Sequence, residues 1–145
     1  MATQEEIKAF IAAEFPQSSA IIEQVGNGTA TVKHRVGHAD LRPGGTVSGP
    51  VMMGLADVAL YVAIFGTIGI VPLAVTTSLS INFLRKPAAD RDVVGVCKLL
   101  KVGKSLVIGE VSLYSEGLPD PVAHAVASYA IPPKRDYRSS AGSTA

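Results

Sequence analysis

Val51-Met-Met-Gly-Leu-Ala-Asp-Val-Ala-Leu-Tyr-Val-Ala-Ile-Phe65 holds fifteen residues and a single charge, Asp57. A carboxylate taken out of water without a partner is costly. An acid in this setting is therefore either matched by a hidden partner or kept for chemistry. Just before the run, Ser48 can cap a helix, and Pro50 suits a first helical turn, where its missing donor removes no hydrogen bond. The helix is predicted to continue to about Gly66 or Gly69. Because it is apolar on nearly every side, it must be enclosed by protein and not laid on a surface.

What encloses it is written on both sides. Upstream, Gln4–Phe15 reads as a short amphipathic helix with Ile7, Phe10 and Ile11 on one side and Pro16 closing it. Ile21–Val25 and Ala30–Val36 flank Gly26-Asn27-Gly28, a hairpin signal. Asp40–Ser48 contains Arg-Pro-Gly-Gly and is expected to be irregular. Downstream, Val75–Arg85 alternates, with Val75, Thr77, Leu79, Ile81 and Phe83 on one face and Thr76, Ser78, Ser80 and Asn82 on the other. Lys86-Pro-Ala-Ala-Asp90, Gly103-Lys104 and Glu116-Gly-Leu-Pro-Asp120 then separate Val93–Val102, Leu106–Ser115 and Val122–Ile131. Turns this short favour an antiparallel meander of four strands. The expected architecture is α+β, a curved antiparallel sheet wrapped around one long central helix. One domain would span residues 1–136, with the Ser/Gly/Ala-rich residues 137–145 as a disordered tail. So small a sheet leaves an edge open, and self-association is expected.

Composition narrows the classes further. A chain of 145 residues, 48% hydrophobic and 17% charged, is the size of one globular domain and rather apolar, as an oligomer's subunit is. A formal charge of +1 gives no general attraction to nucleic acid or anionic membrane. The single cysteine, Cys97, reads as a buried thiol in a strand. No signal peptide is read in Met1–Glu14, so a cytoplasmic location is expected. Val51–Val75 is long enough for a membrane span, but Asp57, Gly54, Gly66, Gly69 and Pro72 interrupt it. An acid at the middle of a spanning helix costs about 2.5–3.5 kcal/mol on insertion scales, and the strands that follow would have no role beside one span. His34, His38 and His124 show no metal-ligand spacing with carboxylates or cysteine and read as structural or surface residues.

In this order and spacing the motifs resemble the hotdog-fold acyl-CoA thioesterases of the PaaI-like type over roughly Asp40–Ile131. The resemblance rests on Ser48-Gly49-Pro50 ahead of Leu55-Ala56-Asp57, then Ser80-Ile-Asn-Phe-Leu-Arg-Lys-Pro87, Gly103-Lys104 at a hairpin, and Ala125-Val-Ala-Ser-Tyr-Ala130. It implies a hotdog fold and hydrolysis of an acyl- or aryl-CoA thioester. Asp57 takes the place of the helix carboxylate that acts as nucleophile or as base for a water. Gly49 takes the place of the glycine whose backbone amide binds the carbonyl, at a helix start whose free amides and dipole suit an oxyanion. Thr77 matches the hydroxyl that touches the carboxylate or its water. Arg85, Lys86, Gly103 and Lys104 match positions that can meet coenzyme A phosphates, which enters as part of the substrate and not as a cofactor. No metal is implied.

The chain departs from that pattern where Ser48 replaces a histidine, Pro50 a second glycine, and Arg42 a frequent asparagine. Arg42 can instead read an anionic part of the substrate. Each assignment has a plainer counterpart. Asp57 can be a hydrogen-bonded acid at a dimer contact, Gly49 a tight entry into the helix, Ser48 a cap, Thr77 core packing, and the basic residues solvated turn charges. Gly49 and Asp57 are eight residues apart, about 12 Å along one helix, so one carbonyl reaches both only if a second subunit supplies one of them. A dimer or dimer of dimers is therefore expected. A non-catalytic acyl-CoA binder is the alternative. A hydratase is disfavoured because no Asp/His pair is evident in the sequence.

Overall fold

The computed structural model describes residues 1–16 and 18–133; the expected tail lies outside them. Helix α1 (Gln4–Glu14) begins with a reciprocal cap. The Thr3 hydroxyl accepts from the Glu6 amide at 3.1 Å, and the Glu6 carboxylate accepts from the Thr3 amide at 2.9 Å. Ile7 and Ile11 are buried, and the Phe10 ring meets Phe65 edge-on at 5.4 Å. Strands β1 (Ile21–Gly26) and β2 (Thr29–His34) form the predicted hairpin. Asn27 and Gly28 both have positive φ, 55° and 72°, the two left-handed positions of a two-residue turn.

Residues Asp40–Ser48 are not wholly irregular. A 3-10 turn at His38–Asp40 leads into β3 (Leu41–Arg42) and β4 (Thr46–Val47), a two-strand hairpin closed by the Gly45 amide donating to the Arg42 carbonyl at 3.0 Å. Helix α2 (Gly49–Ile68) follows, and Gly69 ends it at φ 95°. Ser48 occupies the N-cap position, but its side chain makes no capping bond. Pro50, in the first turn, lacks one of the amides a cap oxygen would accept from. The helix start is tied instead through the Ser48 amide, which donates to the Asp40 carbonyl at 2.9 Å.

Strands β5 (Val75–Phe83), β6 (Val93–Val102), β7 (Leu106–Ser115) and β8 (Ala123–Ala130) complete one antiparallel sheet, ordered β1-β2-β6-β7-β8-β5. This corrects the expected four-strand meander: only β6-β7-β8 is one, and β5 pairs with β8. β6 already has β2 and β7 as neighbours, so β5 is displaced to the far edge. Crossing three strand spacings takes about 15 Å. The nine residues 84–92 reach about twice that when extended.

By length and composition α2 could cross a membrane. Here the sheet wraps it, with Leu55, Ala59, Leu60, Val62, Ala63, Ile64 and Phe65 buried. Gly109 on β7 permits the close approach, since a Cβ there would lie 2.5 Å from Leu60 Cδ1. The fold is the hotdog arrangement, a curved sheet around a central helix with a short N-terminal helix. Cys97 is buried as expected, and burial pushes its thiol up to about 12.

Candidate active site

Asp57 does have partners, the exposed Thr76 and the buried Tyr129, and both are neutral. The Thr76 hydroxyl donates to Asp57 Oδ1 at 2.5 Å, and the Tyr129 hydroxyl donates to the same oxygen at 2.7 Å. Burial, and then the nearby Asp57 carboxylate, push the Tyr129 phenol well above its ordinary value, so it remains a donor. Among the described residues Oδ2 receives no hydrogen bond. One oxygen is thus clamped and the other left open to a water or an electrophile.

The hydroxyl that meets Asp57 is not the one the alternation selects. Thr76 pairs with Tyr129 and Ser78 with Ser128, leaving Thr77 as the extra residue of a β-bulge. The bulge reverses the facing of the strand's first residues, so Thr76 turns to the helix. The Thr77 hydroxyl donates to the Ser128 carbonyl at 3.2 Å. Tyr129 is a second site residue that sequence spacing does not single out, 72 residues from the acid it holds. Its place in the Ala125–Ala130 strand, on the same face as buried Ala125 and Ala127, is the only signal in the sequence.

Asp57 opens into a cavity of about 720 Å³. Its walls include Ile11 and Phe15 from α1 and its end, Leu55, Val58 and Tyr61 from α2, and His34 from β2. The volume lies within the range of small-molecule sites, which are mostly apolar with few polar groups. His34, which the sequence places among structural or surface residues, lies on this wall with Nε2 2.9 Å from Asp40 Oδ2. An Asp/His pair is therefore present beside the cavity.

Gly49 lies elsewhere. As the first residue of α2, its amide has no helical acceptor. It lines a second cavity of about 420 Å³ with Arg42, Met52, Phe83, Arg85 and Lys86. The two cavities share no residue. The Phe83 ring closes over Gly49, where a Cβ would lie 3.2 Å from Cζ. The Arg85 guanidinium donates to the Pro121 carbonyl. The structure thus groups Arg42, Arg85 and Lys86 with Gly49. It places Ser48, Thr77, Gly103 and Lys104 in neither cavity. Gly103 serves the β6–β7 turn, its amide donating to the Leu106 carbonyl at 2.8 Å. Among the described residues no group of three or more His, Cys, Asp or Glu side chains is placed to hold a metal.

Comparison with known proteins gives a consistent picture. A family model described as the thioesterase superfamily matches residues 44–121. A putative thioesterase from Silicibacter sp. is 42% identical, with TM-score 0.82, over 90% of this chain and 92% of that one. The PaaI protein of the E. coli phenylacetic acid degradation operon is 21% identical, with TM-score 0.70, over 87% and 90%. A Streptococcus mutans protein solved bound to acetyl CoA is 19% identical, with TM-score 0.70, over 79% and 90%. The last two likenesses are of fold. No curated protein matches the sequence.

Proposed function

Because the chain belongs to the thioesterase superfamily, we propose that it hydrolyses an acyl- or aryl-CoA thioester at a site shared by two subunits. The observation that carries this reading is the separation of two complementary half-sites: Asp57 in one cavity, the Gly49 amide in another, with no residue in common. A two-fold pairing that faces one cavity with the other completes a site twice. The open edge of the sheet supports such pairing. β5 is an outer strand with most of its residues exposed, including Val75 and Phe83, each at least half exposed. Apolar side chains on an unpaired edge favour a second copy.

In the proposed mechanism the thioester oxygen accepts from the Gly49 amide at the positive end of α2, which stabilises the negative charge that develops on attack. Asp57 Oδ2 of the other subunit attacks the carbonyl carbon, or removes a proton from a water that does so. Collapse of the tetrahedral intermediate breaks the C–S bond and releases coenzyme A as its thiolate, which takes up a proton. Attack by water gives the free acid directly, whereas attack by Asp57 leaves an acyl–Asp57 anhydride that a water then hydrolyses to the acid and the free carboxylate. Along the attack path Tyr129 and Thr76 hold Oδ1 and so aim Oδ2. Arg42, Arg85 and Lys86, grouped with Gly49, supply the cationic surface that suits the coenzyme's phosphates. A coenzyme contact from Gly103 or Lys104 requires a further subunit, as a dimer of dimers would provide.

Hydrolysis of a panel of acyl- and aryl-CoAs, followed by release of free thiol, tests the proposal. Wild type turns over at least one member, and Asp57→Asn loses a factor of about 100 to 10,000, the range for a positioned acid or base. Tight binding with no turnover in either protein would identify a non-catalytic acyl-CoA binder instead.

A further inference from the structure

We propose that the tip of the β6–β7 hairpin docks this protein on a membrane surface carrying anionic lipid headgroups. The inference stands apart from the thioester reading, since neither cavity includes a tip residue. The tip joins three exposed lysines, Lys98, Lys101 and Lys104, to three aliphatic side chains in water. Leu100, Val102 and Leu106 are 51%, 45% and 39% exposed. Single apolar residues scattered over a surface are ordinary, but these share one hairpin end with the cations.

Local structure accounts for the exposure. Leu99 pairs with Gly109 and Lys101 with Ile108, so Leu100 is the extra residue of a β-bulge. It has no cross-strand partner and is released from the regular alternation. Beyond it the ladder closes at Val102 and Val107, and the Gly103 amide donates to the Leu106 carbonyl at 2.8 Å. The Ile131 amide, just after β8, donates to the Ser105 carbonyl at 2.9 Å and fastens the turn to the sheet. The aliphatic groups are held out by a pinned turn.

Charge is distributed as unevenly as polarity. The chain as a whole carries a formal +1, yet Val93–Ser115 holds three lysines against one acid, Glu110. Glu110 lies opposite Lys98, but its Oε1 is 2.9 Å from His124 Nε2. Among the described residues none of the three ammonium groups makes an ion pair. The residue types select the partner. Protein interfaces are anchored mainly by Trp, Tyr and Arg, and residues 98–106 contain none of them. Lysine is a compact point charge that suits a diffuse negative surface. The aliphatic side chains between the cations add the second signal that stable lipid contact needs beside charge. Docking here also brings the Asp57 cavity near the bilayer. Leu106 pairs with Ala130, and Ala130 with Val75 on the cavity wall, a path of two strand spacings or about 10 Å.

The test is co-sedimentation of the full chain with vesicles of phosphatidylcholine, either alone or mixed equally with phosphatidylglycerol. Wild type is expected to pellet with the mixed vesicles at low salt, to be released at high salt, and to stay in solution with phosphatidylcholine alone. Lys101→Glu should weaken partitioning about twentyfold, because a basic residue near such a surface is worth about fivefold and its reversal counts twice. Leu100→Ser should weaken it about fivefold by removing half-exposed apolar surface. Arg35→Glu makes the same change in net charge at the other end of the sheet. Arg35 follows His34, the partner of Val93, eight residues or about 26 Å along β6 from Lys101. That variant should stay within about twofold of wild type, the distance being well beyond the screening length. Gel filtration of each variant accompanies the measurement. No pelleting of wild type with the mixed vesicles, or equal losses in Lys101→Glu and Arg35→Glu, would overturn the proposal. A change of oligomeric state in Leu100→Ser or Lys101→Glu would overturn it too, by assigning the tip to a second copy of the chain.

Discussion

The Tyr129 hydroxyl lies 2.7 Å from Oδ1 of Asp57 and 3.2 Å from the carbonyl oxygen of the same residue. One phenol from the sheet therefore fixes both the side chain and the main chain of the helix acid. Tyr129→Phe keeps the ring and its packing near Tyr61, 6.1 Å away, and removes only the donor. The expected result is a fall of about tenfold in kcat/KM and a loss of ~1 kcal/mol in stability, the usual net value of one hydrogen bond. Kinetics and urea unfolding of the same variant read the two effects separately.

The bulge at Thr77 makes neighbouring threonines unequal. Thr76→Val removes the 2.5 Å donor to Asp57, whereas Thr77→Val removes a 3.2 Å bond to the Ser128 carbonyl. Hydrolysis is expected to fall about tenfold in the first variant and to stay within about twofold of wild type in the second, since one lost hydrogen bond corresponds to ~1 kcal/mol at the site that uses it. A kcat/KM comparison of the two variants decides between the register of the bulge and simple alternation.

Asp40 ties the loop before α2 together. Its carboxylate accepts from the Gly37 amide and meets His34, and its carbonyl accepts from the Ser48 amide. Its carboxyl holds a proton less tightly in the folded chain than in the unfolded one. The stabilisation it brings is therefore complete above the ordinary aspartate range and is lost as pH falls through the folded value. Asp40→Asn should be less stable than wild type at neutral pH, and the gap should close on acidification through that range. Urea unfolding of both proteins between neutral pH and pH 3 checks the sign.

Much of this was legible in the sequence, for identifiable reasons. The run around Asp57 announced an enclosed helix because one charge among fifteen residues leaves no amphipathic face. Asn27-Gly28 announced a turn because both positions need positive φ. Strand neighbours were not legible, because the length of the 84–92 connection permits a hairpin or a crossing alike. A bulge inserts a residue without any marker in composition, so simple alternation puts Thr77 where Thr76 lies. His34 and Asp40 are six residues apart, and only the 3-10 turn at His38–Asp40 folds one back onto the other. Tyr129 is distant from Asp57 in sequence and reaches it only through the order of the strands.

The central claim is that Asp57 of one subunit acts on a carbonyl held by Gly49 of another. Asp57→Asn removes the acid, and Gly49→Pro removes the amide proton. Ser48 already has φ −71° and ψ 152°, the extended backbone that precedes proline comfortably, and the Phe83 ring, 3.2 Å from a Cβ at position 49, must give way by a few tenths of an ångström. Each variant alone should be inactive. Co-refolded in equal amounts, they should recover about one quarter of wild-type hydrolysis, because half of the dimers are mixed and each has one intact site of two. Activity of the mixture no greater than the average of the two parents would contradict the shared site, and an active Gly49→Pro protein would remove its carbonyl-binding half.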